Sequence, residues 1–205
     1  PAKALIVLRE ATGADSKDSA TLALAAEASL QAGDAKAAEL LFRRAAAADP
    51  SDNRLKSVLV LAKVATAGFD ATLSELEGIA ASDKGVAANL ALISAHLRKN
   101  ELDAALKQID ALEKKQPDRP LATNLRGRVL VLKKDIDGAR AQFQKALTLD
   151  KVYFPAVAGL AALDLASNKP LEARKHFDDL IKADPDNIPA KQALAALLTR
   201  TGHTG

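Results

Sequence analysis

Asn124 and Arg128 are the side chains best suited to hold another molecule. They stand four residues apart, so on a helix both project from one side. An amide can hold a peptide backbone, and a guanidinium fork can hold a carboxylate. That is recognition chemistry. The motifs of catalysis are missing: there is no His-Glu-x-x-His, no glycine-rich phosphate loop and no Gly-x-Ser-x-Gly. The 3 histidines are scattered, at His96, His176 and His203. A metal site needs three or more converging ligands. With no cysteine, thiol catalysis, disulfides and thiolate metal sites are excluded. Asp34, Asp70, Asp118, Asp135 and Asp186 fall in turns, where helix capping accounts for them. No catalytic residue, metal or cofactor is expected.

A recurring register positions these residues. Ala38, Phe42, Ala45 and Pro50 are matched by Ala105, Ile109, Leu112 and Pro117. Ala139, Phe143, Ala146 and Lys151 follow, and Ala173, Phe177, Leu180 and Pro185 lie 34 residues further on. A fixed period of this length specifies stacked helical hairpins, not one globular core. Gly33-Asp34, Gly68-Phe69-Asp70, Asn100, Asp135 and Asn168-Lys169-Pro170 read as the turns inside the hairpins. The expected division is a lone helix in 1–18, five repeats at 19–53, 54–85, 86–119, 120–153 and 154–187, and a last helix with its tail in 188–205. About twelve helices result. The second repeat is the irregular one: Glu77 holds its phenylalanine position and Gly78 sits inside its second helix, where glycine costs about 1 kcal/mol relative to alanine.

This register resembles the tetratricopeptide repeat (TPR) family. The family's large and small residues are matched by Leu160, Ala161, Ala173, Phe177, Leu180 and Pro185 in the fifth repeat. The fourth supplies Gly127, Ala139, Phe143 and Ala146; the first supplies Ala26, Ala38, Phe42, Ala45 and Pro50. The family's tryptophan and tyrosine are missing; Leu22, Asn89, Thr123 and Val157 stand in the tryptophan position. The resemblance implies an all-α, TPR-type α-solenoid, a right-handed superhelix of antiparallel helix pairs. It also implies a concave face lined by the first helix of each pair. On that face would lie Leu90, Ser94, Leu97 and Arg98, then Leu121, Asn124, Arg128 and Val131, then Ala158, Ala162 and Leu165. Most of these are apolar, which suits an apolar or amphipathic peptide laid into a groove. Ala23, Glu27, Val58 and Ala62 stand where a chaperone-type carboxylate clamp would begin, so that clamp is not supported. The implied function is a non-enzymatic scaffold for a protein or peptide partner.

Composition bounds the partners. Hydrophobic residues make up 48% but aromatics only 3%, so the apolar content is mainly alanine, leucine and valine, and the helices can approach closely. Residues 120–153 hold seven Lys/Arg against three Asp/Glu, a net of +4 beside +3 for the whole chain. That basic fourth repeat makes an anionic polysaccharide the alternative ligand. Nucleic-acid recognition wants a basic face with stacking aromatics. The 5 Phe and 1 Tyr, three of the Phe in core register, do not supply it. No membrane-spanning stretch is present. The stretch Tyr153–Asp164, with Asn168-Lys169-Pro170 and Ala173-Arg174-Lys175, resembles the PrsT-like TPR lipoproteins of bacterial PEP-CTERM/exosortase systems. That resemblance implies a periplasmic or lipid-anchored parent linked to exopolysaccharide assembly. The chain opens at Pro1, inside a helical pattern and without methionine, and reads as a segment of a longer protein. Half repeats at both ends, with Leu194, Leu197 and Leu198 uncapped, lead to an expectation of self-association.

Overall fold

The computed structural model describes residues 17–82 and 85–201, all of it helices and short turns. Residues 1–16 of the lone helix segment expected in 1–18 lie outside the described residues, as does His203. The chain divides into two compact units between Arg98 and Lys99. The first contains α1 (Ser19–Gln31), α2 (Ala35–Ala48), α3 (Asn53–Ala67), α4 (Phe69–Ser82) and α5 (Ala87–Arg98). The second contains α6 (Leu102–Lys115), α7 (Pro120–Leu132), α8 (Ile136–Leu149), α9 (Phe154–Ala166), α10 (Pro170–Ala183) and α11 (Ile188–Thr201). Within each unit every helix packs on the next in sequence. Alternate helices also touch: α3 with α5 in the first unit, and α7 with α9 and α9 with α11 in the second.

Local chemistry sets the helix ends. Asp18, Asp34, Asp52 and Asp135 each accept a hydrogen bond from a backbone N–H in the first turn of the helix they cap. Gly33 and Gly68 take φ of +82° and +88°, a conformation that side chains with a Cβ rarely adopt. Asn100, Lys134 and Asn168 make the equivalent left-handed stop at φ of 58°, 63° and 56°. Pro120 and Pro170 sit in the first turn of α7 and α10, where the missing N–H costs nothing.

The core is a series of wedges. Phe42 is 1% exposed, Leu76 0%, Ile109 0%, Phe143 2% and Phe177 5%. Phe42, Phe143 and Phe177 each lie on the second helix of a pair and pack against small residues. Phe42 shares a cluster with Ala26, Ala38, Ala45 and Ala62. Phe177 shares one with Ala161, Ala173 and Ala190 and stacks on Phe154, ring centroids 6.4 Å apart. Around Phe143 the approach is closest. A Cβ added at Gly127 of α7 would lie 2.7 Å from its ring, and one added at Gly159 of α9 also 2.7 Å.

One reading of the second repeat is corrected. Leu76, not Glu77, fills its wedge position, and Glu77 is exposed. The helix α4 begins at Phe69 directly after Gly68, so its inward face is Thr72, Leu76 and Ala80. Leu76 lies 34 residues after Phe42, so the register is kept. Gly78 falls on the exposed side and α4 runs through it unbroken.

The two glycine environments give opposed predictions. Gly78→Ala meets nothing within 4 Å and should stabilise by about 1 kcal/mol through helix propensity. Gly127→Ala drives a Cβ into Phe143. Overpacking of about 1–3 kcal/mol should cancel or exceed the same propensity gain. Urea unfolding of both variants checks this; a Gly127→Ala protein as stabilised as Gly78→Ala would refute the close-packed wedge.

Candidate functional site

The sequence-derived groove residues fall on three helices. On α5, in the first unit, Leu90 and Leu97 are half-buried while Ser94 and Arg98 are exposed. On α7, in the second unit, Leu121 and Val131 are half-buried and Arg128 is exposed. On α9, Ala158 and Leu165 are half-buried and Ala162 is exposed. Asn124 differs from the rest: it is only 3% exposed, and its Oδ1 is buried without a hydrogen-bond partner. As placed, that amide is sealed from any ligand unless it turns outward. The Asn124–Arg128 pair is therefore not presented as one open unit. Arg128 stands alone, with no ion pair among the described residues.

The second unit brings three of these residues into one cavity. Ala158, Ala162 and Leu165 of α9 face Ala193, Ala196 and Leu197 of α11 across a space of about 270 Å³. Phe177 lies beneath them and Arg200 stands among the lining residues. The groove residues expected from the sequence end on α9, although the same repeat count carried on to Arg200 would have placed it on the same face. The Arg200 side chain has no ion pair among the described residues.

The basic excess of residues 120–153 is largely neutralised. Arg126 donates to Asp110 at 2.7 Å and to Glu113 at 2.6 Å, tying α7 to α6. Lys145 of α8 reaches the same Glu113 at 2.9 Å, and Lys133 reaches Asp103 at 2.6 Å. Lys145 chiefly, and Arg126 after it, hold the Glu113 carboxyl below its ordinary value against the opposing effect of burial. Arg128, Lys134 and Lys151 are left without ion pairs among the described residues.

A buried carboxylate was missed by sequence reasoning. Asp164 of α9 is 4% exposed, and its two oxygens are taken by neighbours on either side. Arg140 of α8 donates to Oδ1 at 2.7 Å, and Nε2 of His176 on α10 lies 2.8 Å from Oδ2. Burial alone would raise the Asp164 pKa; the bonds from Arg140 and His176 outweigh it and hold the carboxyl below its ordinary value. The signal in the sequence was an acid inside the apolar run Ala161–Leu165. Arg140, Asp164 and His176 also border an open cleft of about 670 Å³ between α8 and α10. His96, by contrast, is 7% exposed and meets Phe69 edge-on with ring centroids 5.5 Å apart, a packing role. Among the described residues no cluster of three or more His, Cys, Asp or Glu could hold a metal ion. No described helix is long and apolar enough to cross a membrane.

Helix pairs of this repeat, each closed by a wedge on small residues, define a class of helical-repeat protein. Two family profiles, both described as tetratricopeptide repeat, match residues 90–152 and 130–198. Together they cover more than half of the chain, which belongs to the tetratricopeptide repeat family. Solved structures agree on the fold. A thermophilic TPR protein of Thermus thermophilus is 20% identical with a TM-score of 0.65, covering 88% of this chain and 99% of its own. Yeast Tom70 is 17% identical with a TM-score of 0.75, over 98% of this chain and 44% of its own. The Pseudomonas aeruginosa protein pilF is 17% identical with a TM-score of 0.66, over 91% of this chain and 85% of its own. At these identities the likeness extends to fold alone. A search of the curated proteins finds no match. Proteins of this family are generally non-enzymatic scaffolds for protein partners.

The Asp164 linkage has a defined sign. Its folded-state pKa is lowered, so its contribution is present above the unfolded-chain value of about 3.9 and is lost as pH falls through the folded value. Asp164→Asn should cost about 1.5–3 kcal/mol at neutral pH, since it weakens hydrogen bonds made to a charged carboxylate. It should also flatten the loss of stability below about pH 4. Unfolding curves at pH 7 and pH 3 test this; an unchanged acid limb would remove Asp164 as its source.

Proposed function

We propose that this chain is a scaffold that binds a protein segment along the exposed face of α7, α9 and α11 in its second unit. The observation that carries the reading is the cavity between α9 and α11, where Ala158, Ala162 and Leu165 converge with residues of α11. Apolar cavities with few polar groups suit a buried anchor side chain of a partner. Arg128 and Arg200 add two cations without ion pairs on the same helices, which suits an acidic or carboxylate-bearing segment. Leu121 and Val131 extend the apolar surface along α7, and Leu90, Ser94, Leu97 and Arg98 offer a comparable face on α5 of the first unit.

The anionic-glycan alternative has less support, because Arg126, Lys133, Arg140 and Lys145 are engaged by neighbouring carboxylates. The link to export and exopolysaccharide assembly, and to a lipid-anchored bacterial parent, rests on the PrsT-like stretch at 153–175 and is proposed on that ground alone. Self-association through terminal helices gains no support from the fold.

Peptides selected from a random display library against the whole chain test the scaffold reading. Their affinity should fall at least about tenfold for Ala162→Glu, which places a charge at the cavity wall, equivalent to about 1.4 kcal/mol. Ala141→Glu, on the exposed side of α8, should leave it unchanged. Equal binding by all three proteins would place the ligand elsewhere.

A further inference from the structure

The buried carboxylate of Asp164 and the wall of the α9–α11 cavity are neighbours in the chain. Leu165, the next residue, lines that cavity. The same step recurs on α10: His176 reaches Asp164, and Phe177, the next residue, lies beneath the cavity. Consecutive side chains on a helix project about 100° apart. So α9 and α10 each turn one residue to the open cleft of about 670 Å³ and the next to the cavity of about 270 Å³. The two linings share no residue.

Asp164 is pulled two ways, toward α8 by Arg140 and toward α10 by His176. Its carboxyl is held below the ordinary value, so Oδ2 accepts and Nε2 of His176 carries the proton. Without His176, one oxygen of a buried carboxylate loses its donor, which is unfavourable. The α9 helix is then tied to α8 alone, and a turn about its own axis brings the oxygen to solvent in the cleft. That turn carries Leu165 away from Phe177 and α11. Packing does little to oppose it, because the facing wall includes Ala193 and Ala196, which reach only a short way across.

We propose that His176 is a positioning residue for the binding face: by holding Asp164 it fixes the rotation of α9, and with it the width of the α9–α11 cavity. It acts through Asp164 and touches no ligand. The inference rests on the scaffold reading and adds a control point to it. That point is reached from the α8–α10 cleft, on a different side of α9 from the cavity.

Methyl NOEs across the cavity read its width with no ligand present. In the unaltered chain the Leu165 methyls should give NOEs to those of Leu197. His176→Ala should weaken them. It should also lower the affinity of a library-selected peptide by about threefold or more, in the range of substitutions that act without touching ligand. His176→Gln, whose amide nitrogen takes the place of Nε2, should restore both. Glu113→Gln loosens the other shared carboxylate and should leave both unchanged. Unchanged NOEs in His176→Ala, an equal loss in Glu113→Gln, or no recovery in His176→Gln would each overturn the role of His176. Weakened NOEs with unchanged peptide affinity would keep His176 as the residue that sets the cavity and overturn the cavity as the peptide's site.

Discussion

The fold of the second unit depends on how near an aromatic ring can come to a neighbouring helix backbone. Phe143 sits between α7 and α9 because Gly127 and Gly159 present no side chain to it. Elsewhere alanines give the same permission less completely: Ala26 beside Phe42, Ala161 and Ala190 beside Phe177. Burying a phenylalanine this way is worth several times the helix propensity that each glycine forfeits. A chain with 5 Phe and 1 Tyr therefore places half of its few rings where they lock three helices at once. With the wedges set, the first helix of each pair is left with one face to the core and one free, and the free face is the one the proposed scaffold function uses.

Ion pairs complete the packing of the second unit. Arg126 and Lys145 converge on Glu113, joining α6, α7 and α8; Arg140 and His176 converge on Asp164, joining α8, α9 and α10. In both, a carboxylate is shared between helices of adjacent pairs. Removing the shared carboxylate would leave the half-buried Arg126 or Arg140 short of a counter-charge, so these contacts favour a single stacking of the pairs.

The helical class and the wedges at Phe42, Ile109, Phe143 and Phe177 were legible because spacing and residue size are sequence properties. Leu76 was misread by one residue because Gly68-Phe69-Asp70 looks like a turn with Asp70 as cap, whereas the helix starts at Phe69. Asn124 was read as displayed from its place in the repeat, yet burial depends on what packs over it. The Asp164 set was invisible because Arg140 lies 24 residues before it and His176 12 after, on different helices. Arg200 was within reach of the same repeat count that chose the other groove residues.

The central claim is that a protein segment binds between α9 and α11. Intermolecular NOEs from a library-selected peptide to the isotope-labelled chain test it most directly. The account predicts contacts from an apolar peptide side chain to the methyl groups of Ala162, Leu165 and Leu197. Contacts only to residues on the outward side of α8 and α10, such as Ala141, would contradict it.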